Sequence, residues 1–105
     1  MLKIYFVMLD VIRLMRPVVA QIDAHDRELG KQLRQAENSV VLNTAEGSGS
    51  HGGTRLARYR TALGSAKETW SCIDAAEAQG YIKAVAPEIR AGLRRVIGTL
   101  VNVTR

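Results

Sequence analysis

Apolar residues recur at intervals of three and four positions along almost the whole chain. Those intervals place apolar side chains on one face of an α-helix, and no segment shows the alternation of a half-buried strand. The pattern predicts helices over residues 2–22, 27–46 and 54–79 and a fourth that begins close to Pro87. Amphipathic helices with short connections are typical of an all-α fold, an antiparallel up-and-down four-helix bundle. The 105 residues suffice for one such domain.

The first helix carries a broad apolar face and a second, smaller set of apolar residues. The broad face is predicted to be buried and consists of Ile4, Val7, Met8, Val11, Ile12, Met15, Val18, Val19 and Ile22. Pro17 removes a backbone donor within this helix, which predicts a kink over residues 13–16. Leu2, Phe6 and Leu9 project away from the broad face, so they form either a second contact surface or tolerated exposed side chains.

Helices 2 and 4 each show one heptad-spaced seam, as expected for near-antiparallel packing. The seams are Leu29, Leu33, Ala36, Val40 and Asn43 on helix 2, and Ile89, Leu93, Val96, Leu100 and Val103 on helix 4. Asp26 is placed to cap helix 2, and Gly47 is placed to end it in a left-handed conformation. Residues 47–53 are rich in glycine and serine but lack the spacing of a phosphate-binding loop, which predicts a flexible connection.

Helix 3 has two contrasting faces. One is an apolar seam of Leu56, Tyr59, Leu63, Ala66, Trp70 and Ile73. The other is a stripe of mostly small residues, Ala57, Thr61, Gly64, Glu68, Ser71, Cys72 and Ala75. A solvent face usually carries long charged side chains, whereas a small face lets another backbone approach closely. We therefore expect Leu2, Phe6 and this small stripe to be covered by packing, either within the bundle or against a second subunit.

The chain carries a formal net charge of +5 and a sequence pI of about 9.9. A basic surface favours polyanions such as RNA or DNA, and it can also serve solubility alone. Two basic stripes are candidates for nucleic-acid contact: Arg27, Lys31 and Arg34 on helix 2, and Lys83, Arg90 and Arg94 around helix 4. A solvated helix face is the alternative interpretation. No aromatic residue is clearly displayed for base stacking, so we expect little sequence specificity.

Polar residues cluster where helix 2 meets helix 3. We interpret them as a network that fixes helix register, and its members are Asn43, Glu46, Ser65 and Glu68. Glu46 stands at a helix C-terminus, where negative charge is disfavoured, so Arg58 or Arg60 is expected to balance it. A catalytic pair of Glu46 and Glu68 is the less favoured alternative, because nothing indicates a substrate pocket.

Motifs for hydrolases, metalloproteases, bundle di-metal sites and redox dithiols do not occur in the sequence. We therefore expect no enzymatic activity, no cofactor and no metal. Cys72 is the only cysteine, so a buried, inert thiol in a reducing cytoplasm is expected rather than a disulfide or a nucleophile. The apolar run at residues 4–9 is too short to span a bilayer, so no membrane segment is expected.

Four segments carry a family resemblance: QLRQAENSV at residues 32–40, LNTAEG at 42–47, ALGSAKE at 62–68 and AAEAQGYI at 75–82. In these segments the chain resembles the four-helix-bundle proteins encoded in intervening sequences of bacterial 23S ribosomal RNA genes. The resemblance is collinear over nearly the whole chain. It makes signature positions of Asn43, Glu46, Gly47, Gly64, Ser65 and Glu68. Many family members have basic residues where this chain has Ser50 and His51, which weakens any phosphate-binding role for that loop.

The resemblance implies a ring-like homopentamer without established enzymatic activity. The family is also similar in fold to the accessory variability protein of diversity-generating retroelements, a basic pentamer that works with a reverse transcriptase and nucleic acid. We therefore expect a non-enzymatic homo-oligomer that binds RNA or DNA through basic outer faces. The alternative is an interaction scaffold or accessory subunit, whose charge serves solubility or a protein partner such as a reverse transcriptase. Candidate oligomer-interface residues are Leu2, Phe6, Ala57, Thr61 and Gly64.

Overall fold

Four α-helices make up the computed structural model, which describes all 105 residues. Their bounds are Ile4–His25 (α1), Arg27–Ser48 (α2), Gly52–Ala78 (α3) and Pro87–Val103 (α4). Each helix packs along the next, and α4 returns against α1. The molecule measures 42 × 24 × 20 Å, and its long dimension matches the length of a 27-residue helix. The predicted all-α four-helix bundle is therefore confirmed.

The core contains one buried row of side chains from each helix. On α1 and α4 the rows follow the predicted intervals, and they consist of Ile4, Met8, Val11, Met15, Val19, Ile22, Ile89, Leu93, Val96 and Leu100. Val103, the predicted last member, is 39% exposed because α4 ends at this residue. The helix α1 is continuous through Pro17, whose ring is exposed and lies outside the core.

On α2 and α3 the buried rows agree with the predicted seams only in part. The predicted residues that are buried are Leu33, Ala36, Val40, Tyr59, Ala66 and Ile73. The row on α2 is Gly30, Leu33, Ala36, Glu37, Val40, Thr44 and Gly47, so Thr44 rather than Asn43 extends it. The row on α3 is Tyr59, Ala62, Ala66, Thr69, Cys72, Ile73 and Ala76. The predicted seam residues Leu56, Leu63 and Trp70 are only half-buried. The reason is that α2 and α3 are the most closely packed pair, and small side chains fit such an interface better than large ones.

The predicted cap at the start of α2 is confirmed. Asp26 has an extended backbone, and its carboxylate accepts a hydrogen bond from the Leu29 amide at 2.9 Å. The predicted end of helix 3 near residue 79 is also confirmed, because α3 ends at Ala78 and Gln79 is its C-cap. Gly80 has φ +77°, and the Tyr81 amide donates a hydrogen bond to the Ala76 carbonyl at 3.0 Å. This is the six-to-one bond of a Schellman motif, which closes a helix C-terminus.

The prediction that Gly47 ends α2 in a left-handed conformation is wrong. The helix continues to Ser48, and Gly47 is a buried helical residue with no positive φ. Its role is to admit the ring of Tyr59, because a Cβ at Gly47 would lie 2.4 Å from the Tyr59 Cε1 atom. The Tyr59 hydroxyl then lies 3.2 Å from Ser48 Oγ. A glycine that looks like a helix stop is thus a packing residue between α2 and α3.

Two of the faces predicted to be covered are open in the single chain. Phe6 is 59% exposed, and Ala57, Thr61 and Gly64 on the small stripe of α3 are also exposed. Leu2 differs from them, because it is half-buried and packs against the core. Coverage within the bundle is therefore excluded for Phe6 and for the exposed part of the small stripe, whereas Cys72 of that stripe is buried in the bundle. No helix combines the length and the apolar character needed to cross a bilayer.

Candidate functional site

The basic stripe on α2 has two free cations and one engaged cation. Arg27, Lys31 and Arg34 are all exposed. Arg34 Nη1 donates to the carboxylate of Asp23 on α1 at 2.6 Å, whereas Arg27 and Lys31 make no ion pair. Asp23 can lie there because α2 has a glycine at position 30, where a Cβ would collide with the carboxylate. Arg27 and Lys31 therefore remain available to an anionic partner.

The second basic set is divided by the fold. Lys83 lies in the connection before α4, while Arg90 and Arg94 lie on α4 one turn apart. The side chain of Arg90 is only 16% exposed, and it pairs with Asp74 at 2.9 Å and with Glu77 at 3.2 Å. Two carboxylates thus compensate its charge. Lys83 and Arg94 are exposed and make no ion pair, so they are the members of this set with free charge.

A groove between α3 and α4 brings basic and aromatic side chains together. Its volume is about 540 Å³, and it is lined by Lys67, Trp70, Ser71, Arg94, Ile97 and Gly98. The guanidinium carbon of Arg90 lies 4.4 Å from the centroid of the Trp70 ring, and that of Arg94 lies 5.4 Å from it. Such distances are typical of cation–π contacts. The sequence pattern did not show that Trp70 lies beside these two basic residues; whether its half-buried ring can stack with a base stays a prediction.

The polar network between α2 and α3 forms with a different membership from the one predicted. The side-chain amide of Asn43 donates to the backbone carbonyl of Ser39 at 2.9 Å and to its hydroxyl at 3.1 Å. The Ser39 hydroxyl lies 2.6 Å from that of Ser65 on α3. Glu46 pairs with Arg58 at 2.9 Å, as predicted, and Arg58 also donates to Asn43 Oδ1 at 3.5 Å. The contacts join α2 to α3 as a register-fixing network would.

Glu68 lies outside this network. Its side chain is exposed and makes no hydrogen bond or ion pair, because it faces outward on the same stripe as Gly64. Glu46 is also largely exposed, with its carboxylate bound to Arg58. The signature positions thus fall into two groups. Asn43, Glu46, Gly47 and Ser65 hold α2 against α3, while Gly64 and Glu68 lie on the uncovered small stripe.

Comparison with known families tests the resemblance directly. A protein-family model described as 23S rRNA-intervening sequence protein matches residues 7–101, a range that includes nearly all of the four helices. The chain belongs to this family. No curated protein and no solved structure gives a significant match to the chain.

The connection between α2 and α3 spans only residues 49–51 in this chain, so it is shorter than the predicted 47–53. Arg55 Nε donates to the carbonyls of Gly47 at 3.1 Å and Ser50 at 2.9 Å. The Ser50 hydroxyl donates to the Glu46 carbonyl at 2.7 Å. These bonds use the backbone carbonyls that the end of a helix leaves free. The Arg55 guanidinium is therefore engaged in closing the turn.

One buried carboxylate was not predicted from the sequence. Glu37 on α2 is 4% exposed, and its Oε2 atom has no hydrogen-bond partner. Burial raises the pKa of Glu37 to about 7, and the nearby charge of Arg34 only partly opposes this. Glu37 borders a small groove of about 330 Å³ between α1 and α2, together with Arg16, Asp23 and Arg34. Glu37 lies four residues after Leu33 and three before Val40, which is heptad spacing. A seam through position 37 would therefore have predicted its burial from the sequence.

Cys72 is buried, as expected. Desolvation raises the pKa of its thiol, and the negative charges of Glu68 and Glu37 raise it further. Such an environment disfavours the reactive thiolate. No group of three or more histidine, cysteine, aspartate or glutamate side chains is arranged to hold a metal ion.

Proposed function

We propose that this family member binds RNA or DNA through its exposed cations, as a non-enzymatic homo-oligomer in the cytoplasm. The supporting observation is the distribution of charge. Only four of the fifteen lysine and arginine side chains, Arg13, Arg34, Arg58 and Arg90, make an ion pair. The other eleven are exposed and make no ion pair, although Arg55 is bonded to two backbone carbonyls, and the chain keeps a formal net charge of +5. The lone cysteine, a buried free thiol, is compatible with a reducing compartment.

Contacts to phosphate oxygens account for the affinity in this proposal. A lysine or arginine that neutralises a phosphate releases condensed counterions, so binding depends on salt and carries little sequence information. On α2, Arg27 and Lys31 are one helical turn apart and free of ion pairs, so they can contact neighbouring phosphates of one strand. Arg34 contributes less, because Asp23 already binds it.

Self-association extends the proposal. The small stripe with Ala57, Thr61 and Gly64 is exposed in the single chain, and the family resemblance implies a pentameric ring. Small side chains allow a neighbouring helix to approach closely, and Phe6 supplies an exposed apolar side chain for such contact. A ring would repeat each basic face once per subunit, and such multivalency raises the affinity for a long polyanion.

The test is a binding titration of labelled single-stranded and duplex RNA and DNA, measured by fluorescence anisotropy. The double variant Arg27→Glu with Lys31→Glu is expected to weaken binding by about tenfold or more, since it removes about two phosphate contacts and adds repulsion. A matched control is Arg60→Glu with Arg105→Glu, which changes net charge equally at exposed positions off this face. Absence of binding, or equal affinity of wild type and the Arg27/Lys31 variant, would refute the proposed face.

A second candidate function is an interaction scaffold or accessory subunit. The observation that favours it is exposed apolar surface, because Phe6, Leu14 and Leu42 are 59%, 46% and 60% exposed. Exposed apolar side chains of this size are typical of protein contacts. Under this alternative the positive charge serves a protein partner, such as a reverse transcriptase, or serves solubility. Genomic neighbourhood separates the two: a reverse transcriptase gene or a ribosomal RNA gene beside this one favours nucleic acid, and an unrelated operon favours the scaffold.

A further inference from the structure

We propose that the groove between α3 and α4 holds an unstacked base of a single-stranded nucleic acid, with Lys67 and Arg94 binding the adjacent phosphates. The inference rests on the proposed function and deepens it by naming the form of nucleic acid and the site. The groove has about 540 Å³, within the range of small-ligand sites. Its remaining lining comes from Trp70, Ser71, Ile97 and Gly98.

The apolar and aromatic part of the groove suits the flat face of a base. Trp70 and Ile97 are half-buried, so each presents some surface to the groove. An indole ring is a surface on which bases stack, and the guanidinium carbon of Arg94 lies 5.4 Å from the centroid of the Trp70 ring, so the base site and a phosphate site adjoin each other. Gly98 is exposed and borders open space, because a Cβ built there meets no atom within 4 Å.

The charged part of the groove suits a phosphodiester. Lys67 and Arg94 come from different helices, are exposed, and have no carboxylate within ion-pair distance. Arg90 is different, because Asp74 and Glu77 bind its guanidinium while it lies 4.4 Å from the Trp70 ring centroid. We therefore assign Arg90 the role of positioning Trp70, and Lys67 and Arg94 the role of binding phosphate.

An aromatic surface beside two cations favours a single strand over a duplex. Bases in a duplex are paired and stacked on each other, so they present only their edges and cannot lay a flat face on Trp70. In a single strand a base can leave the stack and enter the groove while its phosphates reach the two cations. A single strand carries a flat base and a negatively charged phosphate at every nucleotide, and a protein segment has no such repeat.

The sole tryptophan makes the groove directly observable, because Trp70 is the only one in the chain. The experiment titrates the full-length protein with a twelve-nucleotide oligo(U) and with a duplex of equal length, and follows tryptophan fluorescence and ligand anisotropy together. We expect the single strand to bind at least about fivefold more tightly than the duplex and to quench the fluorescence, as base stacking on an indole does.

Charge reversal tests the residues. Arg94→Glu and Lys67→Glu are each expected to lower single-strand affinity by about tenfold, whereas Arg95→Glu, an exposed neighbour on the same helix outside the groove, is expected to lower it by about threefold or less. Circular dichroism shows whether each variant remains helical. The Arg95 variant provides the same change in net charge.

Three outcomes overturn the inference, and they differ in what they say about the proposed function. Equal binding of both ligands without quenching leaves nucleic-acid binding intact and removes the groove as its site. Absence of binding to either ligand removes both. A fluorescence change that depends on protein concentration and not on the oligonucleotide means that a second copy of the chain occupies the groove.

Discussion

Replacing Glu37 by glutamine is the change whose effect the structure specifies most sharply. The carboxylate is buried in a helical bundle, and one of its oxygens has no partner. The charged groups around it are Arg34 on its own helix, Arg16 and Asp23 on α1 across the shared groove, and Glu68 on α3, which acts with Glu37 on Cys72. Glutamine keeps the shape of the side chain and removes its titration.

The magnitude follows from the pKa. Burial raises the pKa of Glu37 from its ordinary value of 4.5 to about 7. A tenfold change in proton affinity corresponds to about 1.4 kcal/mol, so ionising this residue in the folded state costs about 3 kcal/mol. Below pH 4.5 both states are protonated and the cost is absent. Between pH 4.5 and 7 only the unfolded state is ionised, so stability falls as pH rises, and above pH 7 the full cost is present.

Urea unfolding at pH 5 and pH 8 measures this cost. The free energy of unfolding of wild type relative to Glu37→Gln should decrease by about 2 to 3 kcal/mol between the two pH values. Any cost of burying the amide is the same at both, so it cancels. Glu68→Gln is the matched control, because it makes the same chemical change at an exposed carboxylate that forms no ion pair.

The result that would refute this reasoning is a difference between wild type and Glu37→Gln that is the same at both pH values. That outcome would mean that Glu37 titrates as an ordinary surface carboxylate. A variant that loses stability relative to wild type as pH rises would contradict even the sign.

Further consequences concern packing, assembly and the thiol. Gly47→Ala should lower the free energy of unfolding by about 1 to 3 kcal/mol, because the added methyl meets the Tyr59 ring. Gly98→Ala should raise it by about 0.5 to 1 kcal/mol, because alanine has the higher helix propensity and its methyl meets no atom. Urea unfolding that ranks the two variants in the opposite order would contradict this packing. If the proposed oligomer forms through the small stripe of α3, Thr61→Arg should convert it to a monomer in light scattering, and a wild-type monomer at micromolar concentration would refute the proposed assembly. Alkylation of Cys72 should be much slower in the folded protein than in urea, and equal rates would contradict its burial.

The fold was predictable from the sequence because its rows of apolar residues are long and regular. On α1 and α4 every buried residue lies in the predicted rows, since large aliphatic side chains mark the core, although Val7, Ile12 and Val18 are only half-buried and Val103 is exposed. On α2 and α3 the buried rows contain more alanine, glycine and threonine, beside large residues such as Leu33 and Ile73, and periodicity weighs small residues lightly. The row could therefore be placed one position away, with Asn43 taken for Thr44. Gly47 illustrates the same limit, because its reason lies in a tyrosine on another helix.

The candidate site was less predictable, because its chemistry depends on register between helices. The sequence shows that Arg90 and Arg94 are basic, but not that Asp74 and Glu77 neutralise the first and leave the second free. Nor does spacing along one helix show that Trp70 meets α4. Glu37 was missed because a carboxylate on a helix is ordinarily assigned to the solvent face. Local features were easier to predict from the sequence, because the Asp26 cap and the pairing of Glu46 with Arg58 both follow from short-range rules.

Nucleic-acid binding is proposed to depend on the exposed cations that make no ion pair. The most direct test is the dissociation constant for a single-stranded oligonucleotide measured across a series of salt concentrations. We predict that the logarithm of the affinity falls linearly with the logarithm of salt concentration, with a slope of about −2 or steeper, as expected for three or more phosphate contacts. An affinity that does not change with salt, or no measurable binding at low salt, would contradict the claim.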